Sequence, residues 1–378
     1  MTSLVTTITE TLRYRGAIGQ WSWVLHRVTG LGVVLFLTLH VIDTSWAVFY
    51  PDLYVKAIAI YQTPLFTIGE FALTACVVYH ALNGIRIGIF DAKPELWRYQ
   101  AKAAQLVLIG TVLLLIPTFL IMFGHVLEHY SHSPTQLPLE FVLIEQLPFA
   151  VGIAVAVIVA LFAAVITQPL FINRSKAASA GGKPRAQGSR IEKFWWGFMR
   201  LSGLLIVPLV FGHLAMIHLI QGVFALSVQG APVVGTTEIN MSGTSVEFVM
   251  DRWNYLVAGV AIWRIYDILL LGLVTLHGFN GLRYVLTDYT SFNPILKRAA
   301  IYLCTIAAVV LLAAGGGALL GSITDESVRI AEQAMAELYG EVGGADGGDT
   351  VDEGAAPVDG GESAPADATS EATAESGS

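Results

Sequence analysis

Two copies of one phrase hold most of the side chains with chemistry in them. His80-Ala-Leu-Asn-Gly84-Ile-Arg86-Ile-Gly-Ile-Phe-Asp91 and His277-Gly-Phe-Asn-Gly281-Leu-Arg283-Tyr-Val-Leu-Thr-Asp288 both read H-x-x-N-G-[IL]-R-x-x-x-x-D, and each closes a long apolar run. An imidazole in lipid needs partners for both ring nitrogens, and intramembrane ionisable groups ordinarily mark function. A second alignment, offset by 173, lays His26-Arg27-Val-Thr-Gly30 over Met199-Arg200-Leu-Ser-Gly203. His40 follows Gly30 by ten residues and His213 follows Gly203 by ten. Four intramembrane histidines therefore form two repeat-equivalent pairs, His80 with His277 and His40 with His213.

A single such histidine is ordinarily a hydrogen-bonded structural residue. Four in symmetric pairs point instead to two bis-histidine haem irons. Depth separates the pairs: His80 lies roughly 9 Å along a helix from Arg86, and His40 roughly 20 Å from Arg27. The first pair is thus expected near the inside face and the second nearer the outside, making an electron path across the bilayer. Gly84 and Gly281, one turn beyond the first pair, would let a flat ring approach the backbone. His125, His129 and His132 are spaced for one helical face, which suits a metal site or, as the preferred reading, an interfacial polar cluster. His218 is read as hydrogen-bonded inside the bundle.

These residues must be positioned by membrane helices. Of 378 residues 54% are hydrophobic and 13% charged, and several runs exceed the ~20 apolar residues that span a bilayer. Spans are expected at about 21–49, 64–90, 103–125, 141–171, 195–225, 254–285 and 297–320. The fold class is an all-α integral membrane protein with seven transmembrane helices. Two parallel three-helix units, 1–130 and 194–321, are joined by a connecting span (131–172) and a basic inside linker (173–193). Two parallel three-span units need such an extra span to return the chain to the inside. Cys76 and Cys304 fall in apolar runs and read as small buried hydrophobes. No cleavable signal is evident.

Lys and Arg fix the orientation. Arg13, Arg15, Arg27, Arg86, Lys93, Arg98, Lys102, the linker and Arg283, Lys297 and Arg298 share one side. The other has little beyond Lys56, Arg252 and Arg329. The N-terminus is placed inside and the tail, 322–378, outside. That tail holds fourteen acids against Arg329, a balance of −13, so the rest of the chain carries +5 despite a net −8. A short interfacial helix is expected at 324–340, and 341–378 is too poor in hydrophobes to fold. Loop 226–252 reads as a small hairpin.

The residues resemble a known family. His26-Arg27-Val-Thr-Gly30 resembles the H-R-x-[ST]-G signature of the cytochrome b membrane-anchor subunit of succinate dehydrogenase (complex II). His80-x-x-x-Gly84-Ile-Arg86, with Asp91, resembles its haem-ligand motif. The second half is similar to the smaller anchor: Arg200, then His277-x-x-x-Gly281, then Thr287-Asp288-Tyr289. The chain looks like a fusion of both anchors, and the His40/His213 pair resembles the di-haem branch.

The resemblance implies two haem b groups, with iron ligands His80 and His277 inside and His40 and His213 outside. It implies His26, Arg27 and Arg200 at haem propionates, and a quinone pocket with Tyr289, Asp288 and Arg27. The single-haem anchors of the family usually carry Ser four residues before the motif Arg. Here Trp23 holds that place with Ser22 beside it, which implies a different quinone pose or a different quinone. The di-haem branch implies menaquinone. Expected partners are a flavoprotein subunit bearing FAD and an iron–sulfur subunit bearing the clusters, with the chain as the quinone-reducing, non-flavin part of the enzyme in a plasma (inner) membrane. Nucleic acid is not expected, and a higher oligomer is left open. Quinol:fumarate reduction, or a di-haem or structural anchor of another dehydrogenase, remains the alternative.

Overall fold

The computed structural model describes residues 16–132, 137–169 and 190–345. Arg13, Arg15, most of the basic linker and the tail beyond residue 345 lie outside the described residues. Seven helical segments among the described residues are long and apolar enough to cross a membrane: Ile18–Phe49, Pro64–Ala92, Pro94–Ser131, Leu139–Ile166, Arg190–Ile220, Ile262–Thr290 and Pro294–Leu320. The chain is an all-α, multi-pass membrane protein, as the apolar runs predict.

Four of these helices close a ring. Helix α1 (Ile18–Phe49) packs on α3 (Pro64–Ala92), α3 on α7 (Arg190–Leu214), α7 on α9 (Ile262–Thr290), and α9 back on α1. In that order α1 faces α7, and α3 faces α9, across the ring. Helix α4 (Gln100–His132) flanks α3, and α10 (Pro294–Leu320) flanks both α1 and α9. The connecting span is outermost, packed on α10, where Thr167 and Tyr302 hydroxyls meet at 3.0 Å.

That span corrects the sequence reading in one respect. The single span is broken near its start, a turn of helix, α5 (Leu139–Ile144), being followed by α6 (Leu147–Ile166). Pro148 lacks the N–H that would continue α5, and it is tolerated only in the first turn of a new helix. Glu145 at the break is held by Lys56 at 2.8 Å. The sixth span also starts later than expected. Ala258 and Gly259, at φ 51° and 79°, make a turn closed by two 3.0 Å bonds between Val257 and Val260. These φ values suit the two central positions of a primed hairpin turn, so α9 cannot begin before Ile262.

Beyond the C-terminal end of α1 lies a cap only partly expected from sequence. The hairpin is present as β1 (Ala231–Pro232) paired antiparallel with β2 (Ile239–Asn240). It is joined by α2 (Pro51–Tyr61), α8 (Ser245–Asn254) and α11 (Asp325–Ala345), which packs on α2. Thr244 caps α8 by accepting from the Glu247 amide, and the Glu247 carboxylate accepts from the Ser242 amide just before the helix at 2.5 Å, which fixes the entry of the chain. Helix α11 extends five residues past 340, contrary to the expected unfolded start of the tail. Arg264, not weighed from sequence, ties the cap to α10 by donating to the Leu319 and Gly321 carbonyls at 2.8 and 2.7 Å. Phe248, Val249, Arg252 and Trp253 of the cap reach the end of the four-helix ring.

Candidate functional site

The ring encloses one elongated cavity of about 1400 Å³, lined by His26, His40, His80, His213, His218 and His277. All four histidines paired by sequence face it, each from a different ring helix. Both pairs are diagonal: His40 on α1 with His213 on α7, and His80 on α3 with His277 on α9.

The inner pair is oriented by hydroxyls at repeat-equivalent positions. Thr29 Oγ1 donates to the Leu25 carbonyl at 2.8 Å and Ser202 Oγ to the Phe198 carbonyl at 2.6 Å, so each hydroxyl proton is committed to its own helix. The remaining lone pairs face imidazoles: Ser202 Oγ lies 2.9 Å from His277 Nδ1, and Thr29 Oγ1 lies 3.4 Å from His80 Nδ1. His80 Nδ1 also has the His26 carbonyl at 3.1 Å. Acceptors on Nδ1 put the ring proton there and leave Nε2 with a free lone pair, the form that binds a metal. A Cβ on Gly30 would sit 2.9 Å from His80 Cε1, and one on Gly203 would sit 3.2 Å from His277 Cε1. Both glycines are required for the rings to lie where they do.

The outer pair is built differently. The His40 and His213 ring centroids are 6.0 Å apart at 73°, and Phe36 stacks on His40 at 5.3 Å. The ten-residue step from Gly30 to His40, repeated from Gly203 to His213, separates the two levels by about 15 Å of helix. Acidic groups gather at this outer level. The Tyr61 hydroxyl donates to Asp43, and His218 Nδ1 donates to the Glu70 carboxylate, giving His218 the intrabundle partner expected for it. Burial, then the Asp43 charge, pushes the Tyr61 phenol above its ordinary range.

The inner end is tied by two crossed ion pairs. Arg27 on α1 pairs with Asp288 on α9, and Arg200 on α7 pairs with Asp91 at the end of α3. Each guanidinium also stacks on an indole, Arg27 over Trp23 at 3.9 Å and Arg200 over Trp196 at 3.4 Å. Trp23 is 48% exposed and borders a hollow of about 450 Å³ with Gln20 and Gln100. Ser22 is turned away into the α1–α3 interface, donating to Asn83 at 2.8 Å. His26 stacks on His80 with centroids 3.9 Å apart, and its Nδ1 is buried without a hydrogen bond. Tyr289 is 64% exposed and lies outside the cavity, which Tyr284 and Val285 line from that stretch of α9.

His129 stacks on Phe224 of the cap at 4.2 Å, and His125 lies against Gly222. Among the described residues no cluster of His, Cys, Asp or Glu could hold a bare metal ion. Four participants escaped the sequence reading. Thr29 and Ser202 were visible as the hydroxyl two residues after each motif Arg. Glu70 and Asp267 were visible too, since each lies ten residues before a motif histidine, His80 and His277.

Comparison with known proteins places this arrangement. Residues 7–119 match the family described as succinate dehydrogenase/fumarate reductase transmembrane subunit. A succinate dehydrogenase 2 membrane subunit SdhC of Mycobacterium tuberculosis is 40% identical over 119 residues, 31% of this chain and 86% of that protein. A succinate dehydrogenase hydrophobic membrane anchor subunit of Halobacterium salinarum is 33% identical over 106 residues, 27% of this chain and 81% of the relative. No solved structure matches the chain significantly. The family match at 7–119 includes the Arg27 and His80 motifs. The chain belongs to the succinate dehydrogenase membrane-anchor family.

Proposed function

We propose that this chain is a fused, di-haem membrane anchor of a succinate:quinone oxidoreductase, both three-span units folded into one ring. The observation that carries the reading is the commitment of Thr29 and Ser202. Their protons go to helix carbonyls, so their lone pairs hold His80 and His277 with Nε2 free toward one cavity. That cavity exceeds the ~300–1,000 Å³ of an ordinary small-molecule pocket, and diagonal imidazoles at two levels are placed so that they would hold two flat haem groups. Gly30 and Gly203 support the same fit by opening the backbone beside the inner imidazoles.

A haem bound at either level supplies one-electron transfer. The protein's own contribution is orientation, insulation and charge. His80 and His277 would serve the inner level, His40 and His213 the outer. Arg27 and Arg200 already carry carboxylate partners, so a propionate would join or displace Asp288 and Asp91. Arg86 Nε and Arg283 Nη2, buried and without hydrogen bonds, are further donors at that end. The quinone, a menaquinone in this reading, would be reduced near Tyr289, Asp288, Arg27 and Trp23, with the Tyr289 hydroxyl donating to a carbonyl oxygen. Tyr289 is exposed at the end rich in Lys and Arg, where flavoprotein and iron–sulfur subunits would dock and bury it. By the positive-inside rule that end is cytoplasmic and the cap and tail lie outside.

The test is haem b per chain, read as pyridine haemochrome on the purified complex, together with flavin in the co-purifying subunits. Two haems and flavin are expected. A folded complex holding no haem overturns the cofactor assignment, and haem without a flavin partner overturns the enzyme assignment.

A further inference from the structure

The two histidines of the outer pair have different partners, and the difference has a chemical meaning. His213 Nδ1 is buried without a hydrogen bond, and Asp267 Oδ1, also buried and unpartnered, lies 4.0 Å away. The other oxygen of that carboxylate, Oδ2, accepts from Trp253 Nε1 of the cap at 3.0 Å, which fixes its plane. Asp267 therefore presents one free oxygen to one free imidazole nitrogen on the neighbouring helix. The equivalent acid of the first half, Glu70, does not do this for His40. It is taken by His218, five residues after His213 on the π-helical turn Ala215–Ile220. Such turns shift the facing of the residues after them and gather at functional sites. The inner pair has only neutral acceptors on Nδ1, from Ser202, Thr29 and the His26 carbonyl.

We infer that Asp267 is a positioning residue for the outer haem, a carboxylate that takes the Nδ1 proton of His213 in a hydrogen bond and lowers the potential of that haem alone. The inference rests on the proposed iron ligation by His40 and His213. A carboxylate behind a ligating imidazole fixes its tautomer and strengthens it as a donor. Stronger donation favours ferric over ferrous iron, whereas the neutral acceptors of the inner pair do this less. A small rotation of the His213 ring would close the gap of 4.0 Å, since neither atom has a hydrogen bond to release. Trp253 tempers the effect by withdrawing charge from the carboxylate. The cap thereby takes part in setting the potential.

The experiment is a spectroelectrochemical titration of both haems in the intact complex, with haem content measured on the same samples. Asp267→Asn is expected to keep two haems and raise one midpoint, by about 59 mV for each tenfold loss in ferric preference. Trp253→Phe is expected to move the same midpoint the opposite way, a signed response that packing damage does not produce. Should the Asn variant lose its outer haem, the Trp253→Phe shift alone decides. Two haems with both midpoints unchanged in either variant overturn the role of Asp267. A wild-type complex with fewer than two haems overturns the ligation by His40 and His213, and this inference with it.

Discussion

Arg27 and Asp288, 261 residues apart in the chain, form an ion pair that joins the first helix of the ring to its last. Arg200 and Asp91 make the crosswise counterpart between α7 and α3. Each arginine comes from one half of the chain and its acid from the other, so the two pairs lock the halves together at the inner end.

The crossed pairs differ in burial, and their removal should differ too. Asp91 is 19% exposed and Asp288 55%. Asp91→Ala leaves a partly buried guanidinium without its acid and should cost about 1–3 kcal/mol. Asp288→Ala, at a wetter site, should cost about 0–1 kcal/mol. Thermal unfolding of the detergent-solubilised complex orders them, and equal losses would refute the burial argument.

Assignment of the inner ligands predicts a selective loss. His277→Ala should remove one haem b and leave the other with its spectrum intact, because the outer pair sits about 15 Å further along the ring helices. An unchanged haem count would remove His277 from the ligand set.

Space beside the inner imidazoles is scarce at Gly30 and Gly203, but not at every glycine of the ring helices. A Cβ at Gly30 meets His80 at 2.9 Å, whereas one at Gly272 meets nothing within 4 Å. Gly30→Ala should therefore lower haem content by displacing the His80 ring. Gly272→Ala should leave it intact and add up to ~1 kcal/mol of helix propensity. Haem-to-protein ratios for the two variants check this, and equal ratios would show that His80 yields freely.

Tyr289 is exposed and does not line the cavity, so the quinone role proposed for it requires a site completed by partner subunits. Tyr289→Phe should slow quinone reduction several-fold while succinate-to-dye turnover, which bypasses the quinone, stays near wild type. A parallel fall in both activities would take Tyr289 out of the quinone site.

The cap carries its own pH dependence. Burial, followed by the charges of Glu247 and Glu238, raises Asp251 on α8 to about 6. Between the ordinary carboxylate value of ~4 and 6, the folded chain holds a proton that the unfolded chain releases, so stability falls as pH rises through that window. Above it, ionised Asp251 is a standing penalty. Asp251→Asn should flatten the fall and raise the unfolding temperature at pH 7.5 but not at pH 4. A variant as pH-sensitive as wild type would place the effect elsewhere.

The sequence by itself determined the number of spans, the pairing of histidines and the identity of both motif arginines. Hydropathy and repeat spacing are local properties, and the ten-residue interval from Gly30 to His40 and from Gly203 to His213 survives intact into the helices. Only the tertiary structure decided which groups those side chains meet. Arg27 and Arg200 were read toward propionates, yet each sits on an acid from the opposite half, because ring order brings α9 to α1 and α3 to α7. Glu70 and Asp267 share one place in the repeat but diverge in partner, His218 for one and His213 for the other, because a π turn re-aims the end of the fifth span. Of the cap, the hairpin and α11 were legible but α2 and α8 were not, since these are short and gain their stability from packing on each other and on the ring rather than from any pattern of their own.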